Sequence, residues 1–476
     1  MPTRDPETPS ADGRPYAWTA AVALACAPVV VLLCLTLWWT PFPVSEAVAI
    51  FEDIANQPAT RFLIPDTSYY RPLFHMTISA IWNHAGSLEA RLAGVKLLQI
   101  VPAVLLVALV VGHLRPRRLL DAAAAAVAVA VLVGSPAFRD NLEIPLSYTT
   151  VGMPLAVIVW ILLTRERRLW HQPAILLATL VAIGFKEQGL VLVPLVLAAW
   201  WTRAPGASGW TTAAVAAIAV GYVGLRLGWA ESWPMFEQAV GLGFGEMEPP
   251  EAVARYGSFP YVLYAYSSAS TIANVLFSEP TRGTFSIVRA LVEGHHQRWQ
   301  LVHLASSVGL TSIVVWWGFR SLRAVRRHGW SPDARLVVAL AVVLLGCGAL
   351  SFNYSRDRLG GMAVPFYALA AFHALRAAAE RAAAAPRVPC AVAGVTLFLL
   401  AAGWQLRAVG TVERARLTAS RNHTEWLVLL PERRMEFAER PTYLRIMEAM
   451  IAQGTESDGP HPTHYPRWLA RWVGEL

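Results

Sequence analysis

The feature that most limits the fold of this chain is a series of long apolar segments separated by short polar ones. A helix needs about 20 apolar residues to cross a bilayer core, and the first such segment, Trp18 to Trp39, meets that length without a charged residue. Charged residues make up 15% of the chain, whereas soluble domains have about 25%. The sequence therefore predicts an all-α, polytopic integral membrane protein. No cleavage of the first segment as a signal peptide is expected, because the segment is long and no A-x-A-like site clearly follows it.

About eleven transmembrane helices are predicted, and four arginine-rich clusters orient them. If the amino terminus is cytoplasmic and each span reverses the chain, the clusters at 115–118, 165–168, 320–327 and 376–387 fall on one side. Cytoplasmic loops carry an excess of Lys and Arg, so that side is predicted to be the cytoplasm. The predicted spans are Trp18–Trp39, Leu92–Leu114, Leu119–Val133, Tyr148–Thr164, Pro173–Gly184, Gly189–Trp201, Trp210–Gly228, Leu301–Phe319, Leu336–Leu350, Met362–Leu375 and Val388–Leu406.

The polar stretches divide the chain into a tail, a membrane domain and a carboxyl-terminal segment. The segment Phe259–Phe277 is rich in Tyr, Ser and Thr; it is predicted to be interfacial or re-entrant, with a full span as the alternative. The span count places the carboxyl-terminal segment outside, whereas its arginine content favours the inside, so its side stays open. The predicted divisions are 1–17 (cytoplasmic tail), 18–406 (membrane domain, with external loops at 41–91 and 229–299) and 407–476 (polar carboxyl-terminal segment).

The net charge of +8 does not indicate a nucleic-acid-binding protein. The basic residues lie in short clusters between apolar segments, as orientation signals do. The cysteines show no metal-ligand spacing and suggest no disulfide framework, because all of them fall inside apolar segments. They are Cys26, Cys34, Cys347 and Cys390. Membrane lipid, and not nucleic acid, is thus the predicted surrounding of this chain.

The first external loop carries the residues that most suggest chemistry. The stretch Pro41–Leu73 follows the first span and closes on Tyr70–Leu73, which opens a short apolar segment predicted to be an interfacial helix. Charge close to lipid is costly, so it is often functional or extended towards water. The alternative is a solvated connector with ordinary surface carboxylates. The carboxylates of this stretch are Glu46, Glu52, Asp53 and Asp66.

The predicted topology brings basic residues to the same external face as these carboxylates. Lys186, Arg356 and Arg358 lie in turns between spans that face outside. Sugar transfer from a lipid-phosphate donor needs a general base for the acceptor and fixed cations that hold the leaving phosphate. Structural alternatives stay open, in which Lys186 and Glu187 cap a helical hairpin and the two arginines flank a solvated turn. Likewise, Tyr70–Leu73 is also explained as a helix start, since proline suits the first turn.

This layout and two short motifs resemble the multi-span GT-C glycosyltransferases, most closely the tetratricopeptide-bearing transmembrane O-mannosyltransferases and their bacterial relatives. The motifs are Tyr70–Leu73 and Lys186–Gly189, and the resemblance covers roughly residues 18–375. No tetratricopeptide array is visible. The resemblance implies a GT-C-like fold with interfacial helices in the first external loop. It also implies hexosyl transfer from a polyprenyl-phosphate sugar, on the outer face of a bacterial inner membrane.

The resemblance also implies roles for particular residues. In that family an acidic residue early in the first external loop is taken as the catalytic base, and the matching position here is Glu46. Many relatives carry two adjacent acids there, whereas this chain has Ser45 before Glu46. The later pair Glu52 and Asp53 therefore stays open as the site of the base, with Asp53 and Asp66 as the individual alternatives to Glu46. Together with the basic residues that the topology places outside, these motifs predict the substrate-binding residues, which are Tyr70, Arg71, His75, Lys186, Glu187, Arg356 and Arg358.

No metal or cofactor is predicted, and the lipid-linked sugar is a substrate. The chain lacks the Asp-x-Asp motif with which soluble nucleotide-sugar enzymes hold a metal, and the pair His75 and His84 is not predicted to form a metal site. A divalent cation is still compatible with this sequence. The acceptor stays open among a protein, a lipid and an envelope glycan.

Two other functional classes compete with this reading. A transporter or lipid flippase would place ionisable residues at mid-membrane and often shows two related halves, whereas Lys96 and Arg226 lie near span ends. A non-catalytic membrane scaffold would not need acids and cations on one face. The three classes are distinguished by whether Glu46, Lys186 and Arg358 meet at the outer membrane surface.

Overall fold

A computed structural model describes most of the chain, and its described part is almost entirely helical, which confirms the all-α fold class. The described residues are 17–42, 44–57, 70–143, 149–228, 240–242, 245–247, 249–257, 261–278, 290–296, 298–436 and 439–456. In chain order the helices are α1 (Ala17–Trp39), α2 (Val44–Asn56), α3 (Pro72–His84), α4 (Leu88–Leu114), α5 (Leu119–Gly134), α6 (Pro136–Glu143), α7 (Thr149–Thr164), α8 (His171–Phe185), α9 (Leu192–Trp201), α10 (Gly209–Gly228), α11 (Pro249–Tyr256), α12 (Tyr261–Phe277), α13 (Arg298–His328), α14 (Pro332–Leu350), α15 (Val364–Ala383), α16 (Arg387–Glu436) and α17 (Pro441–Glu456).

Within these residues, 6 helices are long and apolar enough to cross a membrane, or 7 if the bent pair α5 and α6 counts as one span. The two members of that pair meet at an angle of 55°. Each predicted span falls on a helix, so the chain is a polytopic membrane protein. Length and composition alone support fewer full crossings than predicted, because several of the predicted spans form shorter apolar helices such as α7, α8 and the segment Glu187–Trp201.

Two of the arginine clusters meet at one end of the helix bundle. Arg118, just before α5, pairs with Glu380 near the end of α15 and lies 3.3 Å from Asp121. Arg376 Nε lies 3.2 Å from a carboxylate oxygen of the same Glu380. The clusters at 115–118 and 376–387 therefore share a side of the protein, as the predicted alternation of spans requires.

The helices of the first loop form a second apolar cluster, separate from the main bundle core. Phe51 of α2 stacks on Trp82 of α3, with ring centroids 4.6 Å apart. Both helices have 13 residues, too few to cross a bilayer. The carboxyl-terminal helix α17 belongs to this cluster, so it lies at the same end of the bundle as the first loop. The buried members are Phe42, Val48, Phe51, Ile54, Phe74, Ile78, Trp82, Leu92, Val95, Phe185, Tyr443, Ile446 and Met447.

The last predicted span continues far beyond its predicted end. Helix α16 has 50 residues and passes without a break through the predicted boundary between residues 406 and 407. Arg407 is only 2% exposed, and its Nη1 donates to the hydroxyls of Ser306 (3.0 Å) and Ser307 (2.7 Å). Its guanidinium carbon lies 3.6 Å from the ring centroid of Trp404. Hydroxyl acceptors and an aromatic face make a buried cation tolerable. Arg407, predicted as the start of a polar segment, is therefore part of the bundle; the domain division itself stays a prediction.

The predicted long external stretch contributes two strands of a small three-stranded sheet and a helix with a polar face. Strand β1 (Val240–Leu242) pairs antiparallel with β2 (Gly245–Met247) and parallel with β3 (Tyr354–Ser355). Helix α12 has 17 residues and buries the side chains of Ser267, Thr271 and Asn274. These polar groups face other parts of the protein, which explains why the segment is less apolar than its neighbours.

Candidate functional site

The two motifs singled out in the sequence meet through one ion pair. Arg71 Nε donates to Glu187 Oε2 at 3.0 Å, and Arg71 Nη2 donates to Glu187 Oε1 at 2.9 Å. The two side chains are 12% and 15% exposed, and their two parallel contacts form the fork that arginine makes with a carboxylate. Nearby, Leu73 packs on Gly184, where an added Cβ would lie 2.6 Å from Leu73 Cδ1. The first external loop is therefore fixed to the turn after α8.

That turn reverses the chain and leaves Lys186 inside the protein. Lys186 has extended backbone angles, and its amide donates to the carbonyl of Ala182 at 3.0 Å. A short 3-10 helix, Glu187–Val191, follows at once, and the amide of Gly189 donates to the Lys186 carbonyl at 2.8 Å. A Cβ at Gly189 would collide with the backbone of Ala182. Glycine at this position is what permits so tight a reversal.

A third segment, the 3-10 helix Asp357–Ala363 before α15, contacts the same turn. Asp140 of α6 accepts a hydrogen bond from the Arg358 amide at 2.9 Å. Asn141 donates to the Arg358 carbonyl at 2.9 Å, and Gln188 donates to the Leu359 carbonyl at 3.3 Å. These contacts join the end of α6, the turn after α8 and the turn before α15. The structure thus brings together Lys186 and Arg358, which are far apart in sequence.

The charges around Lys186 define its chemistry. Lys186 is 5% exposed, and burial lowers its pKa to about 7. The positive charges of Arg71 and Arg358 also lower this pKa, whereas the carboxylates of Glu187 and Asp140 act in the opposite direction. We call these five residues the basic cluster. With three cations and two carboxylates, the cluster has a positive balance when Lys186 is protonated.

Arg358 offers the cluster a donor that the described residues leave unused. Its side chain is half-buried, and among the described residues its buried Nη1 atom has no hydrogen-bond partner. A buried donor without an acceptor costs about 1–3 kcal/mol, so a bound acceptor would be stabilising. Arg356, two residues before it, instead lies over the ring of Tyr354, with its guanidinium carbon 4.9 Å from the ring centroid.

Tyr70 and His75 flank the cluster on the side of α3. The carbonyl of Tyr70 accepts a hydrogen bond from the Tyr222 hydroxyl at 3.0 Å, and burial raises the pKa of the Tyr70 phenol. Burial, together with the charge of Arg71, lowers the pKa of His75 to about 4. His75 is therefore a neutral imidazole at pH 7 and adds no further positive charge.

The predicted bases are described to different extents. Asp53 is exposed on α2 and accepts a hydrogen bond from Gln57. The backbone of α2 carries Glu46, but the Glu46 side chain lies outside what the structure describes, as does the whole of Asp66. The predicted meeting of Lys186 with Arg358 is observed, whereas that of Glu46 with both stays a prediction. Glu52 is held by Arg440 of the carboxyl-terminal region.

Sequence reasoning assigned no role to three residues that build this site, namely Asp140, Asn141 and Gln188, although Gln188 lies inside the Lys186–Gly189 motif. Asp140 and Asn141 stand in a short polar connector between apolar segments on the predicted outer side, and this position was the available signal. Among the described residues, no group of three or more His, Cys, Asp or Glu side chains is arranged to hold a metal ion.

Comparisons with known proteins do not assign this chain to a family. No family model and no curated protein matches the chain. Among solved structures, the chain is similar to the crystal structure of ArnT from Cupriavidus metallidurans bound to undecaprenyl phosphate. The identity is 13%, the match covers 93% of this chain and 89% of that one, and the TM-score is 0.45. A likeness at this identity and score assigns neither a family nor a substrate to this chain.

Proposed function

We propose that this chain is a GT-C-type membrane glycosyltransferase that moves a hexosyl group from a polyprenyl-phosphate sugar to an acceptor. The observation that carries the proposal is the basic cluster, in which Arg71, Lys186 and Arg358 gather from three separated segments around two carboxylates. The Nη1 donor of Arg358, which has no hydrogen-bond partner among the described residues, is suited to a phosphate oxygen. We further propose that this end of the bundle faces the outside of a bacterial inner membrane.

The chemistry proposed for the cluster is stabilisation of the leaving phosphate. In a polyprenyl-phosphate sugar the phosphate is a diester with one negative charge. When the bond between the sugar carbon and the phosphate oxygen breaks, the electron pair goes to that oxygen, and the phosphate gains a second negative charge. Lys186, whose pKa is about 7 before binding, holds a proton more firmly as this charge develops. The cation is thus more favourable in the transition state than in the ground state.

The base that activates the acceptor is proposed to be Glu46. A carboxylate takes the proton from the acceptor hydroxyl or amine while the acceptor attacks the sugar carbon directly. Asp53 and Asp66 are the alternatives. The acceptor class, whether protein, lipid or envelope glycan, is not specified by these residues.

The test is incubation of the purified protein in lipid nanodiscs with a panel of radiolabelled polyprenyl-phosphate hexoses. We expect one donor to be bound and either transferred or slowly hydrolysed, and we expect Lys186→Ala and Arg358→Ala to weaken its binding. If the folded protein neither binds nor turns over any donor, the proposal is wrong. If the protein instead moves labelled donor across a proteoliposome membrane without cleaving it, the protein is a flippase.

A further inference from the structure

The carboxyl-terminal helix α17 packs directly on α2, the helix whose backbone carries Glu46. Tyr443 and Met447 of α17 are 2% and 0% exposed, and they belong to the same apolar cluster as Val48 and Phe51 of α2, which are both 0% exposed. A helix of 13 residues is too short to be stable alone in water. Helix α2 therefore depends on its packing partners, and α17 is one of them.

An ion pair between α2 and the residue before α17 fixes the orientation of the two packed helices. Arg440, just before α17, donates from Nε to Glu52 Oε1 at 3.3 Å, and its Nη2 also contacts Glu52 Oε2. The Arg440 guanidinium lies 4.7 Å from the centroid of the Tyr443 ring. Glu52 is 7% exposed, so this carboxylate is held inside the contact. Two parallel hydrogen bonds fix the rotation of a helix better than apolar packing alone.

A second contact ties the entry of the same loop to the carboxyl-terminal region. Asn422 of α16 donates to the carbonyl of Pro41 at 2.9 Å, and Pro41 lies between α1 and α2. Helix α16 is itself anchored in the bundle by the buried Arg407. Helix α2 is thus held near its start by α16 and along its length by α17.

We propose that the α16–α17 region positions helix α2, and that Arg440 and Glu52 are the positioning residues. Its catalytic consequence rests on the proposed function: the pair sets where the base carried by α2 stands relative to the basic cluster. Helix α2 contacts α3, and α3 is joined to the cluster by the pair of Arg71 and Glu187. Glu52 is consequently a positioning carboxylate and not the base.

The activity test uses charge reversal and rescue. Arg440→Glu and Glu52→Arg are each expected to lower sugar transfer by about tenfold to a hundredfold, because small displacements of a reacting group have effects of this order. Donor affinity should be unchanged, since the basic cluster is intact. The double variant Arg440→Glu with Glu52→Arg should recover most of the transfer rate. Arg445→Glu is the matched control, because Arg445 is exposed on the same helix and donates to the hydroxyl of Thr442, one turn away, and not to α2.

The structural test needs no activity. Spin labels at the exposed positions Ala55 and Arg445 report the distance between α2 and α17. Arg440→Glu should broaden or lengthen this distance, and the charge-swapped double variant should restore it. If neither the distance nor transfer responds to Arg440→Glu, the positioning role is wrong. If the distance responds but the unmodified protein transfers no sugar from any donor, the docking of α17 stands and the proposed function fails.

Discussion

At the scale of single residues, Lys186 decides how the basic cluster responds to pH. Burial, opposed in part by the carboxylate of Glu187, lowers its pKa to about 7, well below that of a solvated lysine. The charge that the proposed phosphate site needs is therefore partly lost at neutral pH in the unliganded protein. A bound phosphate would favour the charged form and hence draw a proton to this lysine.

Donor affinity is accordingly expected to fall as the pH rises through about 7. Below this pH Lys186 is protonated before binding, whereas above it a proton must be taken up when the phosphate binds. The phosphodiester of the donor does not titrate in this range, so the change belongs to the protein. The loss should reach about tenfold or more, the value of one charge-assisted hydrogen bond. Titration of labelled donor at a series of pH values measures it.

The variant Lys186→Arg is the control for this prediction, because arginine stays protonated across the whole range. Its donor affinity should be nearly independent of pH. An equal pH dependence in the unmodified protein and in Lys186→Arg would contradict the assignment of the titration to Lys186.

The three candidate bases are separated by replacing each with its amide. Glu46→Gln is expected to bind donor normally but to lose transfer by about 10²–10⁴-fold, since an amide cannot take a proton from the acceptor. Asp53→Asn and Asp66→Asn should retain transfer. Transfer rates and donor affinity are measured for all three. If Glu46→Gln transfers normally and one of the others does not, the base lies later in the loop.

At the scale of elements, the pair of Arg71 and Glu187 joins α3 to the turn after α8. Both side chains are mostly buried, so their contribution depends on both being present. Removing one partner from a buried pair leaves an uncompensated charge, whereas removing both is often much less harmful. The pair is therefore a structural connection as well as a part of the proposed site.

Arg71→Gln is expected to lower the free energy of unfolding by about 3 kcal/mol, because it leaves Glu187 buried without its cation. The double variant Arg71→Gln with Glu187→Gln should be more stable than the sum of the single changes predicts. Reversible unfolding of all four proteins in detergent completes the cycle. Additive effects in this cycle would show that the two side chains do not interact.

At the scale of the whole molecule, the ends of the bundle differ in composition. One end holds the contacting arginine clusters around Glu380, and the other holds α2, α3, α17 and the basic cluster. The contact of α17 with α2 places the carboxyl-terminal helix at the second end. Helix α17 and the first loop therefore lie on the same side of the membrane, whichever side that is.

Cysteine labelling tests this arrangement in intact cells, in a background where the native cysteines are replaced by alanine. Ala55→Cys on α2 and Arg445→Cys on α17 should react with a membrane-impermeant maleimide before lysis. Ala384→Cys, exposed beside the arginine clusters, should react only after lysis. Protection of Ala55→Cys until lysis would reverse the predicted orientation, and opposite behaviour of Ala55→Cys and Arg445→Cys would contradict the docking of α17.

The sequence by itself determined the helical membrane class and the positions of the apolar helices, because a bilayer imposes length and apolarity on each segment separately. It also pointed to Tyr70–Leu73 and to Lys186 and Glu187 as sites of interest. These features are local, so they can be read from neighbouring residues. The number of full membrane crossings was harder to predict from the sequence, because helices such as α7 and α8 are too short to be recognised as crossings by length alone.

Only the tertiary structure decided which of these residues meet. Arg71 and Glu187 are 116 positions apart, and Arg440 and Glu52 are 388 apart. Nothing in the local composition around either arginine specifies its carboxylate, because many other carboxylates of the chain would serve equally well in isolation. The partners are selected by how the helices pack, and packing depends on the shapes of many side chains at once. For the same reason Arg407 reads as a polar tail residue in the sequence but lies buried among serine hydroxyls in the bundle.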